Sequence, residues 1–341
     1  MPTARRTWPR VLVGPLILAL GLLAFTGLSG PMFPFRPSPV DDFEVVERAT
    51  DLDEYLRGRE AQHSHVRRDL AKGVIWNDPS ARNKTPVSLA YLHGFSASRR
   101  DISPVVETLA RTLGANAYFA RLAAHGRTTS EEFATVTAQD WLDDAREALA
   151  IGRRIGDRVI LMGTSTGALL ATMAALEDRS AKVAALVLLS PNFAIQDWRA
   201  KYISGPVGPW LAQMLIGKDY SFRPVSSGHA DFWTTRYPSE GIVPLMNLVN
   251  HARSLQLRAL KVPTLIIYTH NDTVVDIQAI RDRFDEIQSK PKLLVDLPEA
   301  TRHELTGDAL APATVGPVLA RITEFLSTDD VVGALPANAS R

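Results

Sequence analysis

A short apolar run, Val159 to Met162, leads directly into Gly163-Thr-Ser165-Thr-Gly167, and the helix-forming stretch Ala168 to Leu176 follows. Strand, tight turn and helix in that order put the serine at the apex of the turn, in a strained backbone conformation with its hydroxyl pushed out above a sheet. The flanking glycines leave room for strand and helix to approach each other closely. By itself Gly-x-Ser-x-Gly is a pattern that chance supplies, and a structural Gly-Ser turn is its plain reading. The strand before it and the helix after it give it weight.

The rest of the chain repeats that alternation. Strands are expected at 66–76, 86–92, 115–120, 183–189, 262–268 and 292–297, and helices at 51–62, 101–113, 138–154, 277–287 and 312–326. The strands are continuously apolar rather than alternating, which indicates a parallel sheet covered on both faces, an α/β architecture. The rhythm breaks at about 192–255, where Trp198, Tyr202, Trp210, Met214, Phe222 and Trp233 stand among scattered prolines and glycines with no strand signal. This reads as a mostly helical cap inserted over the carboxyl end of the sheet, and its aromatic content implies an apolar pocket. The domain is expected to span 44–327, with a small, polar tail at 328–341 that carries no core signal.

Ahead of the domain, Arg5, Arg6 and Arg10 in a basic segment 1–10 precede an almost unbroken apolar run at 11–28. That combination matches a transmembrane signal-anchor that leaves the arginines inside and sends the rest across the cytoplasmic membrane. A removed signal peptide, and a secreted product, is the competing reading, because Gly27-Leu28-Ser29 offers a small-x-small cleavage site. Residues 29–43, with Pro31, Pro34, Pro37 and Pro39, form a stiff extended linker. The chain has no cysteine, which excludes disulfides, thiolate catalysis and a lipoprotein anchor. A net charge of +1 and the lack of a basic stripe give no reason to expect nucleic acid. His63 and His65 lack a third metal ligand nearby, and no cofactor motif is present.

In an open parallel sheet, ligands and reacting groups gather at the carboxyl ends of the strands. The Phe95 region, Ser165, Asp272 and His303 all fall there. A serine hydroxyl is a poor nucleophile at neutral pH unless a base takes its proton, and the base needs an acceptor behind it. His303 is the preferred base. His63 and His65 precede the sheet, His93 and His125 lie in earlier loops, His229 and His251 belong to the cap, and His270 shares a loop with the acid. Asp272 is preferred to Asp276, which is more simply explained as a helix N-terminal carboxylate, and to Asp296, which lies within a strand. Donors for a developing oxyanion are expected from the backbone N–H groups of Thr166, by turn geometry, and of Phe95, in the loop that Gly94 lets turn tightly.

The chain resembles the α/β-hydrolase superfamily, and within it the bacterial carboxylesterase, monoacylglycerol lipase and serine aminopeptidase-like group. The resemblance runs from about Pro86 to Leu326 and rests on Tyr91-Leu-His-Gly-Phe-Ser, Arg121-Leu-Ala-Ala-His-Gly-Arg127, the Gly163–Gly167 turn, Asn271-Asp-Thr-Val-Val and Thr301-Arg-His303, in that order. It implies an α/β-hydrolase fold, a mostly parallel sheet of eight strands with an inserted lid, and catalysis by Ser165, Asp272 and His303 through an acyl-enzyme. Ala124 stands where the group more often has glycine, and Thr-Arg-His where Ser-Gly-His is commoner. The expected activity is hydrolysis of carboxylic esters with apolar acyl groups, on a small-molecule or lipid-like substrate. A peptidase, amidase or thioesterase on the same residues is the rival within the class, and a non-catalytic binding protein is the rival outside it.

Overall fold

The computed structural model describes residues 45–178, 180–328 and 331. The expected basic segment 1–10, membrane span 11–28, linker 29–43 and tail residues 332–341 lie outside the described residues. Among the described residues no helix is long and apolar enough to cross a membrane.

Local chemistry sets the element boundaries. Helix α1 (Leu52–Ala61) starts where the Asp51 carboxylate accepts the Glu54 N–H. Strands β1 (Gly73–Ile75) and β2 (Thr85–Leu92) follow, then α2 (Val105–Leu113), which ends at Gly114 in the left-handed region, and β3 (Asn116–Phe119). Helix α3 (Ala138–Ile155) opens with a reciprocal capping box between Thr137 and Asp140. It passes at Gly156 straight into β4 (Gly156–Thr164), which is followed by α4 (Thr166–Glu177) and β5 (Val183–Leu189). After the cap come β8 (Thr264–Tyr268), α8 (Ile277–Glu286), β9 (Lys292–Asp296) and α9 (Val315–Leu326).

Seven strands form the main sheet in the order β1-β3-β2-β4-β5-β8-β9. Only β1 is antiparallel to its neighbour. The parallel, doubly covered sheet is the one expected, with seven strands among the described residues rather than eight. The stretch read as one strand over 66–76 is shorter, because the chain turns at Arg67, whose carbonyl accepts the Leu70 N–H, and pairs only from Gly73.

Side chains along β4 alternate between two cores. Val159 and Leu161 pack with Trp141, Leu149 and Leu170 under α3 and α4, whereas Ile160 and Met162 pack with Leu109, Ile322 and Phe325 under α2 and α9. Each large apolar side chain so buried contributes about 1.5–3 kcal/mol. Val331, within the stretch read as tail, is fully buried in the second core, and its carbonyl accepts from Arg158.

The cap contains α5 (Gly208–Ile216), β6 (Asp219–Ser221), α6 (Ser227–Phe232), β7 (Arg236–Pro238) and α7 (Ile242–Ala252). It is mostly helical, as expected, but β6 and β7 pair antiparallel where no strand was anticipated. Three residues per strand, one of them Pro238, are too few to leave a period in the sequence.

Pairing register levels the carboxyl ends of the central strands. Leu92 stands opposite Gly163, Thr164 opposite Leu189, Leu189 opposite Ile267 and Tyr268 opposite Asp296. The loops leaving those strands therefore share one rim.

Candidate active site

Ser165 stands on that rim between β4 and α4 with φ 54° and ψ −115°. The conformation is strained for a residue with a side chain and is held by neighbours on β5 and beyond it. Its N–H donates to Leu189 O (2.8 Å) and its carbonyl accepts from Asn192 N (3.1 Å). The two glycines are required by approach rather than by rotation. A Cβ on Gly163 would fall 2.4 Å from the Gly167 carbonyl group, and one on Gly167 would fall 2.1 Å from Leu92 O.

The structure brings Ser165, His303 and Asp272 into one hydrogen-bonded line. Ser165 Oγ lies 2.8 Å from His303 Nε2, and His303 Nδ1 lies 2.7 Å from Asp272 Oδ2. The second carboxylate oxygen accepts the N–H groups of Val274 (2.8 Å) and Val275 (3.1 Å), which fixes the acid's rotamer. With the carboxylate accepting at Nδ1, the imidazole's free lone pair sits at Nε2, facing the serine hydroxyl. All three side chains are buried. Burial pushes the Asp272 carboxyl up, but the hydrogen bond and charge of His303 and the two N–H groups outweigh it and hold it below the ordinary carboxylate range. Burial pulls His303 down, and Asp272 more than restores it, so the imidazole titrates above the ordinary histidine value.

The competing acids and bases have other employment. Asp276 caps α8, accepting from Gln278 and Ala279, and Asp296 pairs with His270 at 3.0 Å. No group of three potential metal ligands occurs among the described residues. A cavity of about 900 Å³, lined by Arg59, Lys72, Arg121, Asp144 and Glu147, includes none of Ser165, Asp272 and His303.

One short stretch ties the rim together. Ser190 N donates to Ile267 O (2.8 Å) and Ser190 Oγ to His303 O (3.0 Å), two residues before Asn192 reaches Ser165. Just beyond, Ile195 bridges to Val275 beside the acid loop, and Asp276 N donates to Ala194 O (2.9 Å).

The loop after β2 carries Phe95 past the serine. Gly94 N–H donates to Asp101 Oδ2 and Ser96 N–H to His125 Nε2, both at 2.9 Å. The N–H groups on either side of Phe95 are thus consumed by buried side chains, and no protein acceptor for the Phe95 N–H occurs among the described residues. The Phe95 ring packs edge-on against His125, Phe133, Trp141 and Tyr237. Thr166 opens α4, whose first N–H groups have no partner within the helix. Its own hydroxyl is buried without a partner.

His93 and His125, set aside in the sequence as loop histidines, are part of this wall. Each gives an Nδ1–H to a carbonyl, of Gly94 and of Ala123, and accepts a backbone N–H at Nε2, from Leu122 and from Ser96. Burial depresses both, His93 to about 4, so they remain neutral. The available signal was that each precedes a glycine in a loop leaving a strand. Asp101 gave no signal at all.

A seven-stranded, mostly parallel sheet with a serine at such a turn and a histidine and acid from later loops defines the α/β-hydrolase fold. A family model described as serine aminopeptidase, S33, matches residues 84–309, and the chain belongs to that hydrolase family. Among solved structures, the chain is similar to a metagenome-derived lipolytic enzyme described with LipS and LipT (21% identity, TM-score 0.63, 76% of this chain and 98% of that one). It is similar to a monoacylglycerol lipase of Paleococcus ferrophilus (18%, TM-score 0.54, 75% and 98%). A soluble variant of monoglyceride lipase from Saccharomyces cerevisiae, in complex with a substrate analog, is a further neighbour (13%, TM-score 0.57, 75% and 91%). No curated protein sequence matches.

Proposed function

We propose that this hydrolase cleaves carboxylic esters of apolar acyl groups through a Ser165 acyl-enzyme. The observation that carries the reading is the continuous line from Ser165 Oγ through His303 to Asp272. As Oγ attacks the acyl carbonyl, His303 Nε2 takes its proton and Asp272, kept ionised, stabilises the imidazolium. The oxyanion is received by the N–H groups of Phe95 and Thr166. His303 then protonates the departing alcohol, and water repeats the sequence to free the acid.

Apolar acyl groups are favoured by the cap, where Trp198 and Trp210 are each 64% exposed and Leu215 61%. The lipolytic and monoacylglycerol lipase neighbours lean toward esters, whereas the family description leans toward amides of amino acids. On p-nitrophenyl esters of increasing chain length beside aminoacyl amides, turnover is expected to favour the longer esters. Ser165→Ala should lower kcat by about 10⁶-fold, and equal turnover by the two proteins refutes the mechanism.

The site would work on the exported side of the cytoplasmic membrane, held there by residues 11–28 and the proline-rich linker. The amino terminus of the mature protein tests this, since a chain starting near Gly30 is a cleaved, secreted one.

A further inference from the structure

We infer that Asp101 is a positioning residue that, through Tyr91 and Thr164, holds the two walls of the oxyanion site at a fixed separation. The inference rests on the hydrolase reading above, in which Phe95 and Thr166 supply the donors.

Asp101 touches both walls. Its Oδ2 accepts the N–H of Gly94, the residue before Phe95, at 2.9 Å. Its Oδ1 accepts the Tyr91 hydroxyl proton at 2.7 Å, and the Tyr91 oxygen lies 2.8 Å from Thr164 Oγ1. With the tyrosine proton given to the carboxylate, Thr164 must donate to Tyr91, so the chain runs in one direction from Thr164 to Tyr91 to Asp101. Thr164 is the residue before Ser165, two before Thr166. A side-chain path outside the sheet ladder therefore joins the loop that carries one donor to the turn that carries the other.

Packing alone does not account for this carboxylate. Asp101 is 5% exposed, Tyr91 fully buried, and the adjacent Arg100 turns away to Asp308. Apolar residues of similar volume would fill the same space without desolvating a charge. The polar chain does something an apolar filling cannot, which is to accept a backbone N–H on one wall and a hydroxyl from the other at defined distances. Burial pushes Asp101 up to about 7 despite the hydrogen bonds from Gly94 and Tyr91.

The test uses the full chain, the best p-nitrophenyl ester of the panel, and a trifluoromethyl ketone whose hemiketal oxyanion needs the same donors. Asp101→Ala is expected to lower kcat by about 100-fold with KM changed less than about threefold, and to weaken the ketone in parallel. Asp101→Asn should recover most of the loss, since its oxygen can still take the Gly94 N–H while its amide donates to Tyr91 and the chain runs in reverse. Should Asp101→Ala fail to fold, Tyr91→Phe removes one oxygen and cuts the same path, for a loss of about tenfold. The Tyr91→Phe, Thr164→Val double variant should lose no more than Tyr91→Phe alone, because both break one path. Normal kcat in Asp101→Ala, a loss in KM alone, unchanged ketone affinity, or additive losses in the double variant would overturn the proposal and leave the hydrolase reading standing. Unimpaired turnover by Ser165→Ala, measured alongside, would overturn both.

Discussion

The rim around Ser165 and the cap above it are built in opposite ways. On the rim the side chains of Ser165, His303 and Asp272 are buried, and Asp272 is held from two directions, by His303 and by the N–H groups of Val274 and Val275. In the cap, α5 buries only Gly208 and Ala212 and turns Trp210, Met214 and Leu215 toward solvent. The rim is a closely held arrangement and the cap carries an exposed apolar surface; in the proposed function the first performs the chemistry and the second selects what it acts on.

The sharpest way to break that contrast is at the acid. Asp272→Asn should lower kcat by about 10⁴-fold, beyond the reach of any cap substitution. Its pH profile carries a second signature. In the proposed mechanism activity requires neutral His303, whose affinity for a proton Asp272 raises, so in the parent the rate is expected to fall as pH drops through a value above the ordinary ~6.5. Removing the acid's charge moves that limb to lower pH, and a limb that stays in place means another group sets it.

Stability and substrate preference separate the regions more gently. Gly167→Ala drives a methyl into Leu92 O and should cost about 3 kcal/mol in denaturant unfolding. Trp210→Ala, on the exposed face of α5, should cost within about 0.5 kcal/mol yet lower kcat/KM for long-chain esters about threefold, leaving acetate unaffected. A cap substitution that slowed every ester equally would erase the distinction.

The rim was largely readable from the chain. Parallel strands show themselves as unbroken apolar runs, and a nucleophile turn needs glycines that the sequence displays. Ser165, Asp272 and His303 stand out as candidates because each follows such a run, and the structure brings the three together. What stayed hidden depends on contacts distant in sequence or on elements too short to have a period. His125 reaches Ser96 across 29 positions, and nothing local marks it as the acceptor of that N–H. The β6–β7 pair is too short to leave a period, and the bridge from Ile195 to Val275 joins the start of the cap to a loop far along the chain.

The stretch 190–195 has a consequence for anyone recombining such enzymes. Ser190 and Asn192 brace His303 and Ser165, and the chain enters the cap directly after them, Ile195 pairing with Val275 in the loop that carries Asp272. The cap is thus a module whose upstream seam lies among the contacts that hold Ser165, Asp272 and His303. A chimaera that borrows its cover from a relative is expected to keep the Ser165–His303–Asp272 alignment when the crossover falls after Ile195, and to lose it when the crossover falls at the end of β5.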